Sequence, residues 1–380
     1  MTDHHPPPGL GEVHTRRAVV ATAADPLRLH SGVELRHVEV AYETYGAAPT
    51  ADNVVVVCHA LTGDAHAAGH HGDPARRGWW DTLIGPGRAV DTDRYHVVCA
   101  NLLGGCRGTT GPGSPDPDTG LPYGPDFPLL DVVDLVAVHR RLLQHLGVAR
   151  VHAVVGGSLG GMQALQWVLD HPGEVDRALL IAASSRLSTE NLAFSSVARQ
   201  AILGDPDFHG GRYAEKDVVP AAGLRAARML AHLTYVSAES LETRFGRDRD
   251  TVGAQRRLEP DFAVEHYLAH QGERFLTRFD ANTYLVLSRV MDYLDPFPDH
   301  LPVVPREDAD LPAVGLISFD SDWRFPPAHS ARIAEQLAAR GYDVAHRTIA
   351  SPWGHDSFLL EPPGYHPAVA RFLDDGLLGP

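Results

Sequence analysis

Ser158 lies within Val151 to Pro172, VHAVVGGSLGGMQALQWVLDHP, crowded by glycines on both sides. Gly156, Gly157, Ser158, Leu159 and Gly160 match the pattern G-x-S-x-G. They follow an apolar, β-branched run and open a helical pattern, which is the setting of a nucleophile elbow. In such a turn, side chains flanking the serine would collide, and backbone with φ > 0 is cheap only for glycine. A plainer reading is a glycine-rich strand-to-helix turn that holds an anion at the helix N-terminus.

A serine hydroxyl is a poor nucleophile until a base takes its proton. SPWGHDSFLLE offers His355 beyond the last strand-like run, and SFDSDWRFPP offers Asp320 and Asp322 beyond the one before it. The order nucleophile, acid, base recurs in serine enzymes built on strand–turn–helix elbows. Asp322 falls in the loop and Asp320 nearer the strand end, so Asp322 is the preferred acid. Charge developing on an attacked carbonyl oxygen needs fixed donors. The backbone N–H of Leu159, next after the serine, is one candidate. The N–H of Leu61, in CHALTGDAH, is the other. No metal is needed. His66, His70 and His71 crowd together in HAAGHHGD, but no ordered set of carboxylates or cysteines completes a metal site.

These groups must be positioned by regular elements. Short apolar runs recur at 33–46, 53–61, 95–105, 151–157, 177–184, 313–322 and 344–351. Several are continuous rather than alternating, as in parallel strands covered on both faces. Helical patterns at 128–147, 161–172 and 326–341 lie between them and end at Gly147, Pro172 and Gly341. The alternation predicts an α/β sheet. It breaks after about Ser185 and resumes at Ala313. The expected division is a discontinuous α/β core, residues 1–185 and 301–380, with a helical lid at 186–300.

The chain has 380 residues, 44% hydrophobic and 21% charged, with a net charge of −15. That balance argues against broad nucleic-acid or anionic-membrane binding. No apolar run approaches the roughly 20 residues of a membrane helix. The opening MTDHHPPPGLGEVHTRR lacks a signal-peptide core and reads as a mobile lead-in. Three cysteines are too few for a disulfide framework. A cytoplasmic location is expected.

Several longer stretches carry a more specific resemblance, from about Val38 to about Glu361. They include YETYG, CHALTGDAHAAG, GWWDTLIGPGRAVDTDRY, NLLGGCRGTTGPGS, GGSLGGMQALQW, RMLAHLTY, QGERFLTRFDANTYL, DSDWRFPP and GHDSFLLE. In these the chain resembles the homoserine O-acetyltransferase family of the α/β-hydrolase superfamily. The resemblance implies an α/β-hydrolase fold and a ping-pong mechanism. Ser158 would take an acetyl group from acetyl-CoA as co-substrate, with His355 as base and Asp322 as orienting acid. The side-chain hydroxyl of L-homoserine would then attack, giving O-acetyl-L-homoserine on the route to methionine. Arg228 matches the arginine that holds the amino acid's carboxylate. From the residues alone, Arg225 and Arg228 are equal candidates. Asp356 matches the acid that binds the amino acid's polar end, and Tyr235 the lid tyrosine. Arg107, in the GCRGTT loop, is a candidate for meeting phosphate. Relatives commonly dimerise through the lid, so a homodimer is expected.

The chain departs from its relatives at His266 and His270, in the linker 301–312, and at Arg324, where relatives often have an apolar residue. None of these is expected to touch the triad. A succinyl-CoA donor or a serine acceptor would need only small pocket changes, since an extra carboxylate needs one extra partner. The same fold could also carry a plain serine esterase or a non-catalytic binding protein. The lid motifs and Arg228 argue against the esterase, and the presence of all three triad candidates argues against the binding protein.

Overall fold

Val54–Cys58, VVVVC, has no polar residue to turn toward water, and its strand has no wet face. Val54, Val56 and Cys58 enter one core layer and Val55 and Val57 the other. A strand buried on both faces explains why this run is continuous rather than alternating. The computed structural model describes residues 9–249, 258–306 and 310–379.

Among the described residues the central sheet has eight strands: β1 Arg16–Ala21, β2 Val38–Gly46, β3 Val54–Cys58, β4 His96–Ala100, β5 Val151–Gly157, β6 Val175–Ile181, β7 Ala313–Phe319 and β8 Val344–Ile349. Their order is β1-β2-β4-β3-β5-β6-β7-β8. β1 and β2 pair antiparallel, as do β2 and β4, and every pairing from β4 to β8 is parallel. Each run expected to form a strand overlaps one, although β6 begins two residues before its run, at Val175. β1 is an addition: Arg16 and Arg17, assigned from sequence to a mobile lead-in, instead pair with Tyr42 and Ala41. Residues 1–8 of that lead-in lie outside the described residues.

Helices α1 Val132–His145, α2 Leu159–Asp170, α8 Pro327–Ala338 and α9 Tyr365–Asp375 cover the sheet. Between β6 and β7 the described residues form only helices: α3 Thr189–Leu203, α4 Ala221–Tyr235, α5 Ala238–Phe245, α6 Ala263–Leu276 and α7 Ala281–Tyr293, with short 3-10 turns. Ser188 caps α3 by accepting from Asn191 N–H at 3.2 Å, and Asp280 caps α7 by accepting from Thr283 N–H at 2.8 Å. Each bond satisfies a donor that a helix start leaves without a partner.

These helices pack on one another and, through α4, on the 3-10 turn Gly354–Leu359. Trp323 Nε1–H donates to Val236 O at 3.1 Å, and Ser237 Oγ–H donates to Pro352 O. The insertion is therefore tied to the two loops that follow β7 and β8. Of the linker 301–312, residues 307–309 lie outside the described residues. No helix among the described residues is long and apolar enough to cross a membrane.

Candidate active site

Ser158 stands between β5 and α2 with φ 57° and ψ −121°. Its N–H donates to Ile181 O at 2.9 Å, which holds the strained residue against β6. Such backbone costs about 1–3 kcal/mol and persists only where the surroundings impose it. The glycines act differently from what the motif suggests, because the positive φ falls on the serine itself. A Cβ on Gly160 would lie 2.0 Å from Cys58 O, and one on Gly156 would lie 2.2 Å from Gly160 backbone. These glycines permit close approach of β3, β5 and α2.

His355 Nε2 lies 2.9 Å from Ser158 Oγ, and His355 Nδ1 lies 2.7 Å from Asp322 Oδ2. His355 and Asp322 are 2% and 1% exposed, so water barely competes for these bonds. The second oxygen of Asp322 accepts from Phe325 N–H at 2.9 Å, which fixes the carboxylate plane. Asp320 instead accepts from Ser351 N–H at 2.9 Å and braces the loop after β8. Phe325 and Phe358 stand edge-on to the imidazole at 5.1 and 5.5 Å and wall it in.

Leu159 opens α2, so its N–H has no acceptor one turn back in the helix. Leu61 lines the same pocket as Ser158. His59 shapes the turn that carries Leu61. Its Nε2 accepts from Leu102 N–H at 3.1 Å, which leaves Nδ1–H to donate to Ala60 O at 2.7 Å. Burial lowers the His59 pKa and favours the neutral ring that this pairing requires. Gln163 Nε2 donates to His59 O at 3.2 Å and to Leu159 O at 3.1 Å, linking the two candidate donor segments. Sequence reasoning assigned roles to neither His59 nor Gln163. The histidine in CHAL was the visible signal.

The pocket over Ser158, the candidate catalytic pocket, encloses about 350 Å³. Arg228, 8% exposed, turns into it from α4 with Nη1 3.4 Å from Thr62 Oγ1 and its guanidinium 4.8 Å from the centre of the Phe275 ring. Its Nε is buried without a partner. Arg225 instead pairs with Glu273 at 2.5 Å, which separates the two arginines that sequence alone left equal. Asp356 lines the pocket beside His355. Burial pushes its carboxyl up to about 6, against the opposing pull of the His355 and Arg228 charges. Tyr235 lies 5.9 Å, ring to ring, from His355.

His232 and Arg324 also line the pocket. His232 was not singled out from sequence. Burial, then the charges of Arg228, Arg278 and Arg244, lower its pKa to about 3, so the ring stays neutral. Arg324 was a departure not expected to touch the triad, and it lines this pocket. It is 7% exposed, donates from Nη1 to Thr234 Oγ1 at 2.9 Å, and lies 5.5 Å from the centre of the Tyr235 ring.

The histidine-rich loop meets a carboxylate from a distant strand. Glu43, fully buried on β2, accepts from His71 Nε2 at 2.7 Å and Thr15 Oγ1 at 2.8 Å on one oxygen. Its other oxygen faces Tyr45 OH at 2.8 Å and His66 Nδ1 at 3.1 Å. Burial raises the Glu43 pKa, but the bonds from His66, Thr15 and Tyr45 outweigh it and leave the value below the usual one. The ligand atoms of Glu43, His66 and His71 lie within 4.8 Å of one another. Each carboxylate oxygen has two partners, and these contacts tie the loop after β3 to β2. His70 stands apart from it, its backbone bridging to Glu12 and Arg77.

Residues 53–362 match the family model of the alpha/beta hydrolase fold. Among curated proteins, a homoserine O-succinyltransferase of a Nocardioides species is 59% identical over 369 residues, covering 96% of this chain and 99% of that one. Among solved structures, a homoserine O-acetyltransferase from Bacillus anthracis superposes with a TM-score of 0.85 at 26% identity, covering 97% of this chain and 99% of that one. Esterase E22 superposes with a TM-score of 0.83 at 27% identity, covering 95% of this chain and all of that one, 100%.

Proposed function

From the premise that the chain belongs to the homoserine O-acyltransferases of the α/β-hydrolase fold, we propose that it moves a succinyl group from succinyl-CoA to the side-chain hydroxyl of L-homoserine. The observation that carries the choice of donor is Arg324. Its guanidinium lies in the catalytic pocket on the Tyr235 ring, and its side-chain bond is to a neutral threonine. Arginine matches a carboxylate in shape as well as charge. Arg228 is assigned to homoserine, and of the other arginines that line the pocket we assign Arg324, beside the Tyr235 ring, to the second carboxylate that a succinyl group brings. The name of the Nocardioides relative agrees.

Ser158 Oγ attacks the thioester carbonyl carbon as His355 Nε2 takes its proton. The oxygen that gains charge is stabilised by the N–H groups of Leu159 and Leu61. Collapse breaks the C–S bond, and the proton on His355 leaves with the CoA thiolate. Asp322 holds the Nδ1–H and stabilises the imidazolium. Homoserine then binds, its carboxylate on Arg228 and its ammonium on Asp356. Its hydroxyl oxygen attacks the acyl-serine, His355 accepts that proton, and its return to Ser158 Oγ releases the ester product.

Acetyl-CoA is the second reading. The B. anthracis structure bears an acetyltransferase name, and none of Ser158, His355, Arg228 or Asp356 senses the far end of the acyl chain. Crossing succinyl- and acetyl-CoA with homoserine and serine, followed by thiol release and product mass, separates the possibilities. Succinyl-homoserine is the expected dominant product. Arg324→Leu is expected to lower kcat/KM for succinyl-CoA by about 10²-fold while sparing acetyl-CoA. Equal loss with both donors overturns the assignment. Steady thiol release without an amino acid indicates an esterase.

A further inference from the structure

A second cavity, about 740 Å³, adjoins the catalytic pocket, and Asp64, His66 and Arg77 form walls of both. Its lining adds Arg17, Arg76, Arg107 and His71, so four arginines face one acid, Asp64. Each of these arginines has a carboxylate within 3.9 Å, but the pairs differ in closeness. Arg17 is held by Glu39 at 2.6 Å and Arg76 by Asp73 at 3.4 Å. Arg77 reaches Asp81 only at 3.9 Å, and Arg107 reaches Asp64 only at 3.8 Å. Both distances are at the outer limit of an ion pair, so both guanidinium groups have donors to offer. They are 41% and 45% exposed, open to a ligand arriving from solvent.

The positive charge continues inward. Arg278 lines the catalytic pocket and has Arg228, Asp64 and Arg107 among its charged neighbours. On the shared wall, burial lowers the His66 pKa, but the bond and charge of Glu43, the charge of Asp64 and the Arg76 backbone together outweigh it and leave the value raised. A molecule that spans the two cavities meets cationic side chains at its outer end and Ser158 at its inner end.

We propose that this groove binds the phosphates of the acyl-CoA donor, with Arg77 and Arg107 as the principal contacts. The inference rests on the reading that the donor is a CoA thioester. CoA is built to fit the arrangement. Its phosphates are multiply anionic, and the uncharged pantetheine arm separates them from the thioester. Phosphate oxygens draw guanidinium donors more strongly than a half-buried carboxylate at 3.8 Å holds them. A cationic mouth also concentrates an anionic donor before it docks.

The test compares succinyl-CoA with succinyl-pantetheine, which has the same reacting end and no phosphate. Wild type, Arg77→Ala, Arg107→Ala and Arg107→Lys are measured with each. The wild type is expected to favour the CoA thioester in kcat/KM by about 10²-fold or more. Each alanine variant is expected to reduce that preference about tenfold, through KM, and the lysine variant to reduce it less. Ionic strength of about 0.5 M is expected to erode the wild-type preference. An undiminished preference in both alanine variants overturns the subsite, as does an equal loss with both thioesters. If the wild type turns over neither thioester but is acylated by a nitrophenyl ester, the donor reading itself fails and takes the subsite with it.

Discussion

Arg225 and Arg228 lie three residues apart on α4 yet end in different environments. Arg225 is tied to Glu273 on α6 at 2.5 Å, whereas Arg228 enters the catalytic pocket with Thr62 as its hydrogen-bond partner at 3.4 Å. A guanidinium without an acid partner at the edge of a site suits an anionic substrate group.

Arg228→Ala is accordingly expected to raise the homoserine KM by about 10²-fold, the scale of a lost charge-assisted pair. Arg225→Ala, made as the control, is expected to change it by no more than a few-fold. Rates of serine acylation before homoserine is added complete the comparison. If Arg228→Ala slows acylation as much as it weakens homoserine, the arginine does not read the acceptor's carboxylate.

Ser158→Ala is expected to keep the thermal transition of the wild type and to abolish transfer, by about 10⁴-fold or more. Intact-protein mass spectrometry after mixing with acyl-CoA is expected to find the acyl adduct on wild type and none on the variant. Retained turnover would falsify the nucleophile assignment.

Asp322→Asn and Asp320→Asn probe two acids of one loop with different partners. Asparagine at 322 removes the charge that holds His355 Nδ1–H at 2.7 Å, and kcat is expected to fall by about 10³–10⁴-fold. Asparagine at 320 keeps an oxygen for Ser351 N–H and is expected to cost less than tenfold. Equal losses would remove the distinction between them.

If Asp356 holds the ammonium group as proposed, homoserine binding is expected to depend on pH. Its folded-state pKa, raised to about 6, means that it is charged above that pH and neutral below it. Only the charged form attracts an ammonium group. The homoserine KM is therefore expected to rise as pH falls from 7.5 to 5, with its midpoint near 6. In Asp356→Asn the KM is expected to be high and flat over the same range. A wild-type KM that ignores pH contradicts the assigned role.

Glu43→Gln tests the buried anchor. A glutamine there would turn an amide N–H₂ toward groups that donate to the carboxylate, leaving buried donors without acceptors. The expected loss is about 1–3 kcal/mol in urea unfolding. A wild-type midpoint would show that the loop is held by something other than the Glu43 cluster.

The α/β order, the elbow and the candidate base and acid were legible in sequence because each rests on local chemistry. Parallel strands buried on both faces must be apolar throughout, and a strand that turns at once into a helix against a neighbouring strand leaves no room for side chains beside the serine. What lay beyond sequence depends on how distant elements meet. The phase of α4 in its packing chooses Arg228 over Arg225. The course of the lid brings Arg324 onto Tyr235, and β2 brings Glu43 to His66 and His71. Arg77 and Arg107 face one groove only because two separate loops converge beside β1. Periodicity records which side of an element is apolar. It carries no information about which charged side chain on a half-buried face will find an acid and which will be left to meet a substrate. That was decided by tertiary packing.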